Sequence, residues 1–154
     1  MADSVITDEM RRMIGVETGE TVAEVTTTGC RLFARATGYT DLIFYDEAVA
    51  KQRGYRAIVA PPGYLGTPVY RPHEGGARTG EPRIPYRRVL NGGTAYEYFE
   101  PVVAGDVVTA RGKITNYQER QGSIGPMLIT YRETTFTRQD GTVVAKMYGN
   151  LIHY

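Results

Sequence analysis

The chain has 154 residues, with 18 basic and 17 acidic side chains and a net charge of +1. That length suits one domain spanning residues 1–154 around a single core, and the even charge leaves no footprint for nucleic acid or an anionic membrane surface. One cysteine and two histidines exclude an internal disulfide, fit a reducing cytoplasm, and supply too few ligands for an ordinary zinc site. No apolar run approaches the roughly 20 residues of a membrane span, and the start Met-Ala-Asp-Ser-Val-Ile lacks the regions of a secretory signal.

The first half reads as helices and short loops. Asp8-Glu-Met-Arg-Arg-Met-Ile is a helix candidate with its acids at the positive end of the dipole. Val22 to Val25 suits a first strand. Thr26 offers N-cap chemistry to a helix through Cys30, Leu32, Phe33 and Ala36 that ends at Gly38. Asp46 to Arg53 is a further helix stopped by Gly54. Pro61 to Tyr70 is expected to form a short, apolar, buried helix, since proline is tolerated in a first helical turn.

Residues 71–89 are irregular, rich in glycine and proline, and loops of this length often cover a binding site. The last third reads as strands near Thr94–Val102, Val107–Glu119, Met127–Arg138 and Thr142–His153. Turns fall at Gly105-Asp106, Gln121-Gly-Ser and Asp140-Gly141. In the last strand Val143, Ala145, Met147, Gly149 and Leu151 alternate with Lys146, Tyr148 and Asn150. Helices first and an antiparallel meander afterwards give an α+β domain.

Two stretches carry a resemblance. Thr37-Gly-Tyr-Thr-Asp-Leu-Ile-Phe-Tyr-Asp-Glu-Ala-Val-Ala-Lys51 is similar to the loop G-D-x-N-P-x-H-x-D-x-x-x-A of MaoC-like (R)-specific enoyl-thioester hydratases. Leu90-Asn-Gly-Gly, followed by aromatics and then Pro101-Val-Val-Ala-Gly-Asp106, resembles their L-N-x-G and P-V-x-x-G-D runs. The likeness extends from about Gly15 to the C-terminus and implies a hot-dog fold, an antiparallel sheet wrapped around a central helix at 61–70. Aligned on Gly38 and Asp46, the family's catalytic Asp falls on Tyr39 and its His on Phe44. The glycine whose N–H polarises the thioester carbonyl falls on Pro61, which has no N–H. The version without the dyad looks most like the FAS1-like dehydratase domain, the half that shapes the acyl tunnel while a second hot-dog unit carries Asp and His.

The resemblance therefore implies no catalytic residue in this chain and no cofactor, with acyl-CoA or another acyl-thioester as the substrate. It implies a partner hot-dog subunit bearing the dyad, in a homo- or hetero-oligomer of dimer size or larger. Candidate substrate contacts are Tyr39, Tyr45, Gly63, Tyr64, Asn91 and Gly92, with Arg83, Arg87 and Arg88 placed to meet phosphates through their planar donor forks. Asp46 reads as a helix cap and Asp41 as a turn residue; His73 reads as a solvated loop residue and His153 as a packed or frayed strand end. Two alternatives stand beside this one. A hot-dog thioesterase would need Asp41 or Asp46 as its acid, and a homo-oligomeric acyl-thioester binding protein would need no acid at all. Dinucleotide, nucleotide and serine-hydrolase motifs do not occur.

Overall fold

The computed structural model describes residues 4–70 and 81–154. Helix α1 (Asp8–Met13) starts where the Thr7 hydroxyl accepts from the Met10 amide at 3.2 Å. Strand β1 (Glu17–Glu24) leads into α2 (Thr27–Thr37), capped by the Thr26 hydroxyl, which accepts from the Gly29 amide at 3.0 Å, and closed at Gly38. A 3-10 turn (Leu42–Phe44) and α3 (Glu47–Gln52) complete the helical half. Five strands follow: β2 (Thr67–Pro68), β3 (Val89–Tyr98), β4 (Val107–Gly122), β5 (Gly125–Arg138) and β6 (Val143–His153). All six described strands form one antiparallel sheet in the order β2-β1-β4-β5-β6-β3. The α+β expectation holds, with β1 and β3 each beginning five residues earlier than the sequence suggested.

The register sets which side chains share a face. Tyr98, Ala145 and Phe136 form one row across β3, β6 and β5, and Thr94, Gly149 and Arg132 form another on the same face. Helix α2 covers one end of this face: Cys30 and Phe33 pack with Val25, Ile58, Tyr64 and Leu65 against Val144 and Ala145. At the other end Met10 of α1 packs on Ile114, Tyr117 and Leu128. Burial pushes the Cys30 thiol up to about 11, so it behaves as a small apolar core residue.

Two expectations need correction. Residues 61–70 do not form a helix; they run as turns and then as β2, which pairs with β1 through Ala23↔Pro68 and Glu24↔Thr67. The chemistry explains this. Pro61 and Pro62 lack amide donors, Gly63 and Gly66 take left-handed φ values of 93° and 104°, and Pro68 disfavours the helical region at Thr67. The helix that lies on the sheet is α2. Val143 also leaves the face assigned to it. An extra residue in β6 shifts the pairing between Phe136↔Ala145 and Thr137↔Val143, so Val143 is exposed while Val144 and Ala145 are buried.

One buried carboxylate fastens the loops at the α2 end. Asp106 is 1% exposed, and its oxygens accept from the Val103 amide at 3.0 Å and from Arg56 Nη2 at 2.9 and 3.0 Å. Gln139 Nε2 donates to it at 3.4 Å. Asp106→Ala leaves the buried Val103 N–H without an acceptor, a loss of about 2–3 kcal/mol. Urea unfolding measures it, and a change below about 0.5 kcal/mol, the range of an ordinary surface substitution, contradicts the assignment.

Candidate functional site

The loop after α2 has a firm local frame. Asp41 caps the 3-10 turn by accepting from the Ile43 amide at 3.1 Å, and both of its oxygens accept from Arg53 Nη1 at 2.8 and 2.9 Å. Asp46 caps α3, accepting from the Ala48 and Val49 amides at 2.8 and 3.1 Å. Both carboxylates thus act as caps, Asp46 as the sequence suggested and Asp41 beyond the turn role expected of it. The Ile43 amide, with Arg53 assisting, holds the Asp41 carboxyl below its ordinary range.

This frame brings Tyr39 and Phe44 together, with ring centroids 5.5 Å apart and planes tilted by 56°. Phe44 is buried against Ala34, Val59 and Val103, whereas Tyr39 is about one-third exposed. The contact is made by two aromatic rings, with no carboxylate or imidazole in it. Tyr45 is turned to structure: its hydroxyl donates to the Tyr39 carbonyl at 2.6 Å.

Opposite this loop, residues 58–65 run against 98–104. The Ala60 amide donates to Val102 O and the Ala104 amide to Ile58 O, each at 2.8 Å. Pro61 is fully buried between them. The next amide in the run is that of Gly63, and it donates to the Tyr98 hydroxyl at 2.6 Å. Tyr64 is buried against Phe33, with centroids 5.5 Å apart and its hydroxyl 3.1 Å from Thr67 Oγ1.

Between these segments lies an open groove of about 410 Å³, lined by Phe44, Val59, Tyr64, Leu65, Tyr98 and Glu100 among others. Its lining residues are aliphatic, aromatic or proline, with Glu100 as the acidic member. Neither Asp41 nor Asp46 lines it. Tyr98 and Glu100 escaped the sequence reading. The available signal was the same-face spacing of Tyr96 and Tyr98 just before the Pro101–Asp106 run.

The remaining candidates lie elsewhere. Asn91 and Gly92 form a bulge in β3: Asn91 Oδ1 accepts from the Gly93 amide at 2.9 Å, and Gly92 packs on the Asn150 side chain. Arg83, Arg87 and Arg88 are exposed before β3, where the Arg88 backbone pairs with Tyr154. Tyr98 ends that strand, nine residue steps from Val89, or about 30 Å. The three arginines and the groove therefore occupy opposite ends of the sheet. His153 packs at the strand end, where burial and then Arg132 push its imidazole below the usual value, favouring the neutral form. His73 lies outside the described residues. Among the described residues no cluster of metal-ligating side chains occurs, and no helix is long and apolar enough to cross a membrane.

Comparison with known proteins gives three concordant results. A family model described as the FAS1-like dehydratase domain region matches residues 12–147. A UPF0336 protein of Parafrankia sp. (strain EAN1pec) is 32% identical over 118 residues, 75% of this chain and 74% of that protein. A UPF0336 protein of Thermobifida fusca (strain YX) is 35% identical over 103 residues, 65% of this chain and 66% of that protein. Among solved structures, the ChsH1–ChsH2 complex of Mycobacterium tuberculosis superposes with a TM-score of 0.75 at 18% identity, covering 99% of this chain and 97% of that one. The truncated HadBC (3R-hydroxyacyl-ACP dehydratase) complex of the same organism gives 0.64 at 21% identity, over 91% and 98% of the two chains. These structural likenesses fix the fold as a hot-dog.

The lowered Asp41 carboxyl has a defined pH signature. Its folded pKa lies below the unfolded one, so its stabilising effect is present above the unfolded value and is lost as pH falls through the folded value. A carbon-detected NMR titration will place its midpoint below that of ordinary aspartates, and Arg53→Ala will raise it only partway, because the Ile43 amide remains. A midpoint at or above the ordinary range contradicts the capping role.

Proposed function

The chain belongs to the FAS1-like dehydratase family, and we propose that it serves there as a dyad-lacking, substrate-shaping hot-dog subunit. The reaction is hydration of a 2-enoyl thioester or the reverse dehydration of a 3-hydroxyacyl thioester. Asp and His come from a second hot-dog subunit, and no cofactor takes part. The observation that carries this reading is the Tyr39–Phe44 ring contact, held in a loop whose frame is intact. Pro61 adds to it by removing the amide of the carbonyl clamp.

Strand β3 is the natural place for the partner. It is an edge strand, exposed along all ten residues, with Val89, Leu90, Tyr96, Tyr98 and Phe99 presenting apolar surface on it and just beyond. An edge of that length with a single charge, Glu97, invites pairing. The ChsH1–ChsH2 and HadBC structures are themselves complexes of two kinds of subunit, which supports an assembly of unlike hot-dogs. Acyl-CoA is the substrate class we assign, and the cytoplasm is the compartment.

One observation favours a second reading. Glu100 lines the groove beside Tyr98, where a single carboxylate could activate water for thioester hydrolysis. Asp41 and Asp46, the acids first considered for that chemistry, are both caps.

The purified chain should bind enoyl-CoA yet hydrate it no faster than buffer, and should gain hydratase activity when co-assembled with a hot-dog subunit that keeps its Asp and His. Absorbance at the enoyl-thioester band reads hydration, and a thiol reagent reads hydrolysis. Hydration by the chain alone overturns the reading; hydrolysis abolished by Glu100→Gln establishes the thioesterase instead.

Restoring the dyad tests the loop itself. Tyr39→Asp with Phe44→His should give weak hydration, well below an intact family member, because proton transfer alone contributes about 10²–10⁴-fold. Adding Pro61→Gly should raise the rate further. A folded triple variant that binds acyl-CoA and shows no turnover means that these positions do not face the reacting carbons.

A further inference from the structure

Tyr98 belongs neither to the loop motif nor to the Pro61 run, yet it joins them. It stands on edge strand β3 stacked on Tyr96, with ring centroids 5.8 Å apart. Its oxygen accepts the Gly63 amide hydrogen at 2.6 Å. A phenol oxygen that accepts a strong bond is polarised to donate its own proton. Among the described residues nothing accepts that proton, and the side chain lines the groove with Phe44, Val59, Leu65 and Pro101. Solvent water in the groove serves as acceptor until a ligand enters. A ligand that displaces this water must return the hydrogen bond or lose affinity.

The lining also selects the acceptor. No lysine, arginine or histidine lines the groove, so a carboxylate placed against Tyr98 would lose its hydration without a counter-charge, whereas a neutral carbonyl needs none. The rest of the wall is aliphatic or aromatic and suits an acyl chain. Pro61 and Pro62 bring no amide, and the Gly63 amide is already occupied by Tyr98.

We propose that this groove binds the carbonyl of an acyl thioester, with the Tyr98 hydroxyl donating to the carbonyl oxygen and the Gly63 amide acting through it. The proposal rests on the acyl-thioester reading above and names the group that replaces the amide missing at Pro61. Burial, augmented by Tyr96 and Tyr39 and only partly offset by the Gly63 contact, holds the phenol above its ordinary pKa. The donor proton is therefore present throughout the neutral range.

Calorimetry on the purified chain with octanoyl-CoA, S-octyl-CoA and octanoate tests it, because the two CoA ligands differ only at the carbonyl oxygen. Octanoyl-CoA should bind about fivefold more tightly than S-octyl-CoA, the value of one hydrogen bond, and octanoate should not bind. Tyr98→Phe should erase that difference and leave S-octyl-CoA unchanged. Equal weakening of both CoA ligands, or no change in either, overturns the role of Tyr98 while the acyl-thioester reading stands. If neither CoA ligand binds the unaltered chain, that reading falls and this one with it. A measurement without any variant guards against misfolding: the carbonyl stretch of bound carbon-13-labelled octanoyl-CoA should shift to lower frequency, and an unshifted band overturns the proposal.

Discussion

Asp106 is the constraint on which the groove depends. A carboxylate 1% exposed is tolerable only when donors surround it, and here the donors come from three separate stretches, around Arg56, Val103 and Gln139. Meeting that demand pulls 56–60 against 102–106 and ties both to the β5–β6 turn region. The short ladder between Ile58–Ala60 and Val102–Ala104 follows. That ladder in turn buries Pro61 and sets Gly63 beneath Tyr98.

On the other wall, shape and chemistry are carried by different residues. Asp41 and Asp46 hold the loop through backbone amides and Arg53, while Tyr39 and Phe44 meet ring to ring within it. Phe44 packs on Ala34, Val59 and Val103. The caps of the loop thus depend on neither aromatic ring.

Local chemistry was legible where it acted locally. Thr26, Asp46 and Gly38 mark helix boundaries because a cap is a contact with the next few amides. The strands β4 to β6 and their turns were legible for the same reason. The helix expected at 61–70 does not form because a buried apolar run has no period that separates helix from turn, and Pro61, Pro62, Gly63 and Gly66 decide for the turn. Val143 was misplaced by a one-residue bulge that depends on the partner strand. Tyr98 was invisible because its meaning comes from Gly63, 35 residues away in sequence. The distance from Arg83, Arg87 and Arg88 to the groove is a property of the same kind, because β3 carries the chain the length of the sheet in between.

Strand β3 is at once the free edge of the sheet and the wall that bears Tyr98. A chain that hydrogen-bonds along that edge fixes the backbone from which Tyr96 and Tyr98 project. Ordering of the strand by a neighbour and seating of a ligand on Tyr98 then draw on the same conformational entropy. By linkage each would lower what the other must supply, so assembly and ligand affinity would rise together, with Tyr98 common to both.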